Sequence, residues 1–159
     1  MLDRLKDEGA DDAQCHIINQ TYTEANVENN EFSLMRTYSD IKVAMKALSC
    51  LKPGTATAAR LSKDSLDEAI EQCIASMHAA QPDEYEGMAE PEGGCTSFTR
   101  GELEPDSDGM LMRVVEYVED KNKKDPDKTI DQFIMSHVRV DQVFLNTRGV
   151  NLDSKNGYY

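Results

Sequence analysis

Three histidines, four cysteines and a stretch of clustered carboxylates are the residues of this chain with chemical potential. A zinc peptidase needs two His close together on a helix, a Glu to activate water, and a third ligand. Here His16 precedes Ile17, His78 precedes Ala79 and His137 precedes Val138, so none begins an HExxH or HExxxH motif. Cys73 and His78 share an expected helix, but their spacing turns them about 140° apart and gives no common ligand face. Cys73 is read as core and His78 as a helix-end residue. His16 and His137 fall on expected strands, where solvent-facing positions are the default; a metal shared between them stays open. Ser97 follows Gly93-Gly94-Cys95-Thr96, which is not the GxSxG turn of a serine hydrolase, and Gly93-Gly94 lacks the context of a dinucleotide loop. Cys95 is the one thiol on an expected exposed loop, and its acidic surroundings disfavour the thiolate. The run from Pro82 to Asp108 has oxygens suited to a hard cation but not the spacing of an EF-hand, so a solvated loop is expected.

Composition narrows the field. The chain has 159 residues and a formal charge of −13, from 30 acidic against 17 basic residues. That balance argues against direct nucleic-acid binding, which neutralises phosphate with Lys and Arg, and against docking on an anionic membrane. Residues 81–109 hold nine carboxylates and a single Arg, a net of −8 that supplies most of the excess. No apolar run approaches the roughly 20 residues of a membrane span, and Met1-Leu2-Asp3-Arg4-Leu5-Lys6 lacks a signal-peptide core. Cys15, Cys50, Cys73 and Cys95 show no CxxC spacing, so reduced thiols in a cytoplasmic protein are expected. A chain of this size needs no disulfide or metal staple.

The elements that would position these groups follow from pattern. Leu2 and Leu5 with Gly9 beyond them read as a short helix closed by a left-handed glycine. Residues 13–59 read as antiparallel strands at 13–28 (with a break near Gln20 left open), 31–39, 41–49 and 55–60, rich in β-branched and aromatic residues. Ala13, Cys15 and Ile17 alternate with Gln14, His16 and Ile18. Asn29-Asn30 is one expected turn and Lys52-Pro53-Gly54 another. A helix over 62–80, capped by Ser62, carries one apolar stripe of Leu66, Ala69, Ile70, Cys73, Ile74 and Met77. Residues 81–105, with three of the five prolines and four of the nine glycines, read as a long loop. A second helix is expected over 106–124, capped by Asp106 or Asp108, burying Leu111, Val114, Val115 and Val118. Strands over 129–146 and 150–159 flank a turn at Thr147-Arg148-Gly149. The expected product is one α+β domain over residues 1–159, an antiparallel sheet with two main helices packed on one face.

Several of these segments resemble the amino-terminal half of the TldD/PmbA proteins, known as modulators of DNA gyrase. Gly9-Ala10-Asp11-Asp12-Ala13-Gln14 is similar to the family's GADyAE lead-in to the first strand, and Val27-Glu28-Asn29-Asn30-Glu31-Phe32 to its hairpin. Ala59-Arg60-Leu61-Ser62 and the following helix resemble TnDLSeeSLeeAv. Gln81-Pro82-Asp83-Glu84-Tyr85-Glu86-Gly87-Met88-Ala89 resembles pDpyaGLa, which leans toward the PmbA (TldE) branch. Asn146-Thr147-Arg148-Gly149-Val150 stands where the family has NSeGv, so Asn146 and Gly149 are its motif-turn residues. The chain departs from the family at Asp40-Ile41-Lys42-Val43-Ala44-Met45-Lys46, in place of a glycine-rich GvGvRv strand.

The resemblance implies a fragment of a longer metallopeptidase-related protein. Any zinc would belong to a carboxy-terminal half or to a partner subunit, so the chain itself is expected to carry no catalytic residue, metal or cofactor. It also implies a cytoplasmic location, a TldD/PmbA-type partner subunit or a homodimer, and peptide or unfolded protein as substrate. The role implied for this half is to help form the substrate channel and the assembly. An exposed sheet edge could then take a peptide by strand addition, and Thr21, Thr23, Phe32, Leu34 and Arg36 are the candidate edge. Two other readings stand beside it: a free-standing acidic module that binds a basic partner through residues 81–109, and a small hydrolase using Cys95.

Overall fold

A computed structural model describes residues 1–93 and 97–159. Its elements run α1 (Leu2–Asp7), β1 (Asp12–Glu28), β2 (Glu31–Ser49), β3 (Lys52–Ala58), α2 (Lys63–Ala79), β4 (Ser97–Gly101), α3 (Ser107–Lys124), β5 (Gln132–Asn146) and β6 (Asn151–Tyr158). The class is α+β, with a six-stranded sheet in the order β3-β2-β1-β5-β6-β4. The chain divides into two compact units: residues 1–19, 40–98 and 141–154, and residues 20–39, 99–140 and 155–159.

Local chemistry accounts for most of the elements. Gly9 takes φ 110° just past α1, the left-handed position at low steric cost. Asn29 and Asn30, at φ 52° and 66°, supply the two positive values of a tight hairpin between β1 and β2. The next hairpin is not where the sequence places it. Cys50 and Leu51, at φ 51° and 63°, make the turn, and Lys52-Pro53-Gly54 already belongs to β3. The pairing Ser49↔Lys52 through Val43↔Ala58 demands this, since it leaves only two residues to reverse the chain. β2 also runs without a break through Asp40, merging the strands expected at 31–39 and 41–49.

In the first unit, α2 buries Ala69, Ile70, Cys73, Ile74 and Met77 against Ala13 and Cys15 of β1 and Val43, Met45 and Ala47 of β2. These strand residues alternate along each strand, as one buried face requires. Ser62 caps α2 by accepting from the Ser65 amide at 3.4 Å. The helix lies directly on β3: a Cβ on Gly54 would sit 2.2 Å from the Cys73 carbonyl oxygen and 2.5 Å from the Met77 nitrogen.

In the second unit, α3 packs Met110, Val114 and Val118 against Ala25 and Val27. Asp106 caps it, accepting from the Gly109 amide at 2.9 Å. The expected buried face is corrected here. Met110 is buried, whereas Leu111 and Val115 are 36% and 40% exposed. A seam at 110, 114 and 118 is a strict i,i+4 row, and it places 111 and 115 one position round the helix from the core. Tyr117 instead stacks on Phe133, ring centroids 4.9 Å apart.

The sheet is mixed rather than wholly antiparallel. In the first unit, Ala13 bonds to Thr147 and His16 to Gln142, so β1 and β5 run in opposite senses. β4 differs. Ser97 approaches Asp153, and Gly101 lies against Gly157, so numbers on β4 and β6 rise together. A parallel neighbour needs a long connection, which α3 and β5 provide. β4 falls in the segment expected to be only loop. All five of its residues are exposed, so it leaves no alternation of apolar and polar residues to read.

Candidate functional site

The turn from Asn146 to Val150 is held by a dense set of side-chain bonds. Asn146 is buried, and its Oδ1 accepts from the amides of Arg148 and Val150, each at 3.0 Å. Its Nδ2 donates to the Ala89 carbonyl at 2.8 Å. Gly149 closes the turn at φ 97°, where a side chain would be strained. Arg148 reaches back to Asp12 through Nε at 3.1 Å and Nη2 at 2.8 Å, and its Nη1 pairs with Glu90. The Thr147 hydroxyl donates to Asp12 at 3.1 Å and accepts from the Ala13 amide at 3.0 Å. Arg148 first, then Thr147, holds the Asp12 carboxyl below the usual carboxylate range, against the opposing effect of burial. Asn146 and Arg148 thus tie the segment around Ala89 and Glu90 to the β5–β6 turn, whose conformation Gly149 permits.

Beside that turn lies a cavity of about 860 Å³, wholly within the first unit. His16, Gln142 and Phe144 form part of its wall. They sit on the face of the sheet away from α2, because Ala13 and Cys15 point to the helix and His16 does not. The His16 Nε2 lies 2.9 Å from Gln142 Oε1, and its ring meets Phe144 edge-on at 5.8 Å. Phe98, Leu152, Glu92 and Asp153 complete the part of the lining that matters chemically. The sequence offered no warning of this cavity, since its residues come from distant stretches of the chain.

The second unit holds the candidate edge. β3 pairs with β2 only from Val43 to Ser49. Residues 31–39 of β2 therefore have β1 on one side and no strand of the described residues on the other. Phe32, Leu34 and Arg36 stand on this open stretch, with Phe32 40% and Leu34 39% exposed. Thr21 and Thr23 do not. They belong to β1, an internal strand flanked by β2 and β5, and their hydroxyls meet Ser39 and Thr37 of β2 at 3.0 and 3.1 Å. The sequence could not separate edge from interior, because both strands are equally rich in β-formers.

Tyr38 and Glu24 are the residues that sequence reasoning missed at this edge. Glu24 is buried and accepts from Arg36 Nε at 2.9 Å and from the Tyr38 hydroxyl at 2.9 Å. Tyr38 stacks on Tyr22 with centroids 5.0 Å apart, and the Arg36 guanidinium lies 5.2 Å from the Tyr38 ring centre. Arg36 first, then Tyr38, draws the Glu24 carboxyl below its usual range, and the same bond raises Tyr38. The even-numbered series Phe32, Leu34, Arg36, Tyr38 was the available signal.

The other chemical candidates do not converge. His78 is exposed on α2 and Cys73 is buried beneath it. The expectation of a solvent-facing His137 is corrected: it is 1% exposed, with Nε2 2.6 Å from the Glu102 carbonyl oxygen and Tyr159 packed edge-on at 4.8 Å. A satisfied ring nitrogen and an aromatic cover let an imidazole be buried at low cost. Cys95 lies outside the described residues. Among the described residues no three His, Cys, Asp or Glu side chains gather as a metal site would require. No helix among them is long and apolar enough to cross a membrane.

No family model matches the chain, and no curated protein does. Solved structures do match. TldE from Thermococcus kodakarensis superposes with a TM-score of 0.75 at 20% identity, covering 98% of this chain and 36% of that one. A proposed modulator of a DNA gyrase from Thermotoga maritima gives 0.67 at 18% identity, again over 98% of this chain and 36% of the other. A further proposed gyrase modulator, from Bacteroides thetaiotaomicron, gives 0.68 at 15% identity, with 98% and 37% covered. The fold of the chain is therefore that of TldE and the gyrase-modulator structures, the group to which its motifs point. The chain spans little more than a third of the length of each.

Proposed function

We propose that this chain is the amino-terminal, non-catalytic part of a TldD/PmbA-type protein, and that it handles unfolded polypeptide rather than cleaving it. The observation that carries the reading is the open edge of β2 over residues 31–39, a stretch that carries the exposed Phe32 and Leu34. An unpaired edge offers a row of backbone donors and acceptors that an extended peptide completes as a new strand. Phe32 and Leu34 supply apolar contacts to alternate side chains of that strand, and the Glu24–Arg36–Tyr38 cluster holds the edge in one conformation. Hydrolysis and zinc belong, in this reading, to other parts of the assembly, and subunit contact with a TldD/PmbA-type partner or a second copy would complete the substrate channel.

The rival reading, an acidic arm free to bind a basic partner, is weakened by how residues 81–109 are used. Asp83 accepts from the Tyr85 amide, Glu86 pairs with Lys46, Glu90 with Arg148, Glu104 with Arg139, and Asp106 caps α3. Most of those carboxylates hold the chain to itself.

Binding of a reduced, carboxymethylated, fluorescently labelled protein chain tests the proposal. Phe32→Lys with Leu34→Lys places two charges on the edge, a device that blunts strand addition. We expect the affinity to fall by about tenfold or more, since edge pairing and its apolar contacts are lost together, with the melting temperature held. Unchanged affinity in a folded double variant overturns the proposal.

A further inference from the structure

The cavity of the first unit is a second binding site, and we infer that it takes the side chain of a Lys or Arg residue on a bound polypeptide. Its wall is apolar and aromatic: Phe98, Phe144 and Leu152, with the His16 ring packed against Phe144. Its charged groups are all of one sign. Glu90, Glu92 and Asp153 line it, and no Lys or Arg does so among the described residues. Glu90 is already matched by Arg148; Asp153 accepts from the Ser97 hydroxyl at 3.5 Å, a neutral donor that leaves its charge in place, and Glu92 is exposed.

That pairing of features defines the ligand. Carboxylates set against low-dielectric walls concentrate a negative potential, and the whole chain, at −13, adds to it. An anion is repelled. A neutral apolar ligand would cover the carboxylates without pairing them, which is costly. A long aliphatic stem ending in a cation suits both parts: the methylenes lie on the aromatic wall and the head stays at the carboxylates. Aromatic rings in the lining, Phe98 and Phe144, suit the same charge wherever a face is presented to it. The volume, about 860 Å³, lies within the range of ligand pockets and holds such a side chain with its flanking backbone. The site is independent of the β2 edge, so either can fail without the other.

The test uses the isotope-labelled chain and three probes: a capped pentapeptide Ala-Ala-Lys-Ala-Ala, the same peptide with norleucine for lysine, and 1,5-diaminopentane. We expect the lysine peptide to shift the resonances of His16 and Phe144 and to bind at least about fivefold tighter than the norleucine peptide, the scale of one exposed ion pair with a cation–aromatic contact. Glu92→Gln together with Asp153→Asn should erase that preference. Glu92 is exposed, so Glu92→Gln alone gives the same reading, reduced, in a chain whose fold is not at risk. Equal binding of the two peptides, or no shift at the cavity, overturns the inference. Diaminopentane competing as well as the peptide overturns the polypeptide as occupant.

Discussion

Asn146 shows how much one side chain decides. It satisfies the Ala89 carbonyl and the amides of Arg148 and Val150 from a buried position. Asn146→Ala leaves those groups without their partner, and we expect a loss of about 2–3 kcal/mol in urea unfolding, the cost of stranding buried polar groups. Asn146→Asp keeps the acceptor but sets a buried carboxylate oxygen against the Ala89 carbonyl, so at neutral pH it should also destabilise. Asp12 carries a pH signature. Arg148 draws its carboxyl below the ordinary value of about 3.9. A lowered folded pKa gives stability that is fully present above the unfolded value and is lost as pH falls through the folded one. Unfolding midpoints measured from pH 6 downward should therefore fall more steeply below pH 4 in the parent than in Arg148→Met. Identical acid limbs would show that the Asp12–Arg148 pair contributes nothing to the linkage.

Turns and caps decide the elements. Cys50 and Leu51 both adopt positive φ without being Gly, Asn or Asp, a conformation that costs of order 1 kcal/mol or more per residue. Replacing the pair with Asn-Gly, the preferred sequence for such a hairpin, should stabilise the chain by about 1–2 kcal/mol in the same assay. Gly54 works in the opposite direction. Its missing Cβ is what lets α2 approach β3, so Gly54→Ala should cost about 1–3 kcal/mol, as overpacking does. A neutral Gly54→Ala would mean that the helix does not sit so close. The same elements show what could be read in advance. The α2 stripe and its Ser62 cap, the Asn29-Asn30 turn and the Asp106 cap are local signals, complete within a few residues, and the structure has each of them. The turn at Cys50-Leu51 was hidden because the Pro-Gly beside it is a stronger turn sequence, overruled here by the pairing of β2 with β3. β4 was hidden because no side chain of it is buried. His137 looked like a sheet-surface residue because its cover, Tyr159, comes from a distant part of the chain. The open edge at Phe32, Leu34 and Arg36 was partly legible, but only the sheet order excludes Thr21 and Thr23.

At the scale of the molecule, the two proposed binding features differ in their physics while standing on one acidic chain. Strand addition at β2 rests on backbone hydrogen bonds and apolar contact, whereas the cavity rests on charge. Raising the salt from 0.15 M to 0.5 M shortens the screening length from about 8 Å to nearer 4 Å. Binding of the lysine pentapeptide should weaken severalfold over that range, while binding of the unfolded polypeptide through the edge should change little. A steep fall in both would assign the polypeptide to the carboxylates and revive the acidic-arm reading.

Hydrogen exchange at single-amide resolution, with and without the carboxymethylated polypeptide, addresses the edge most directly. The account predicts that outward-facing amides between Glu31 and Ser39, open in the free chain, slow markedly on binding, while those of β3 and α2 do not change. Binding that leaves the exchange of that stretch untouched would contradict it.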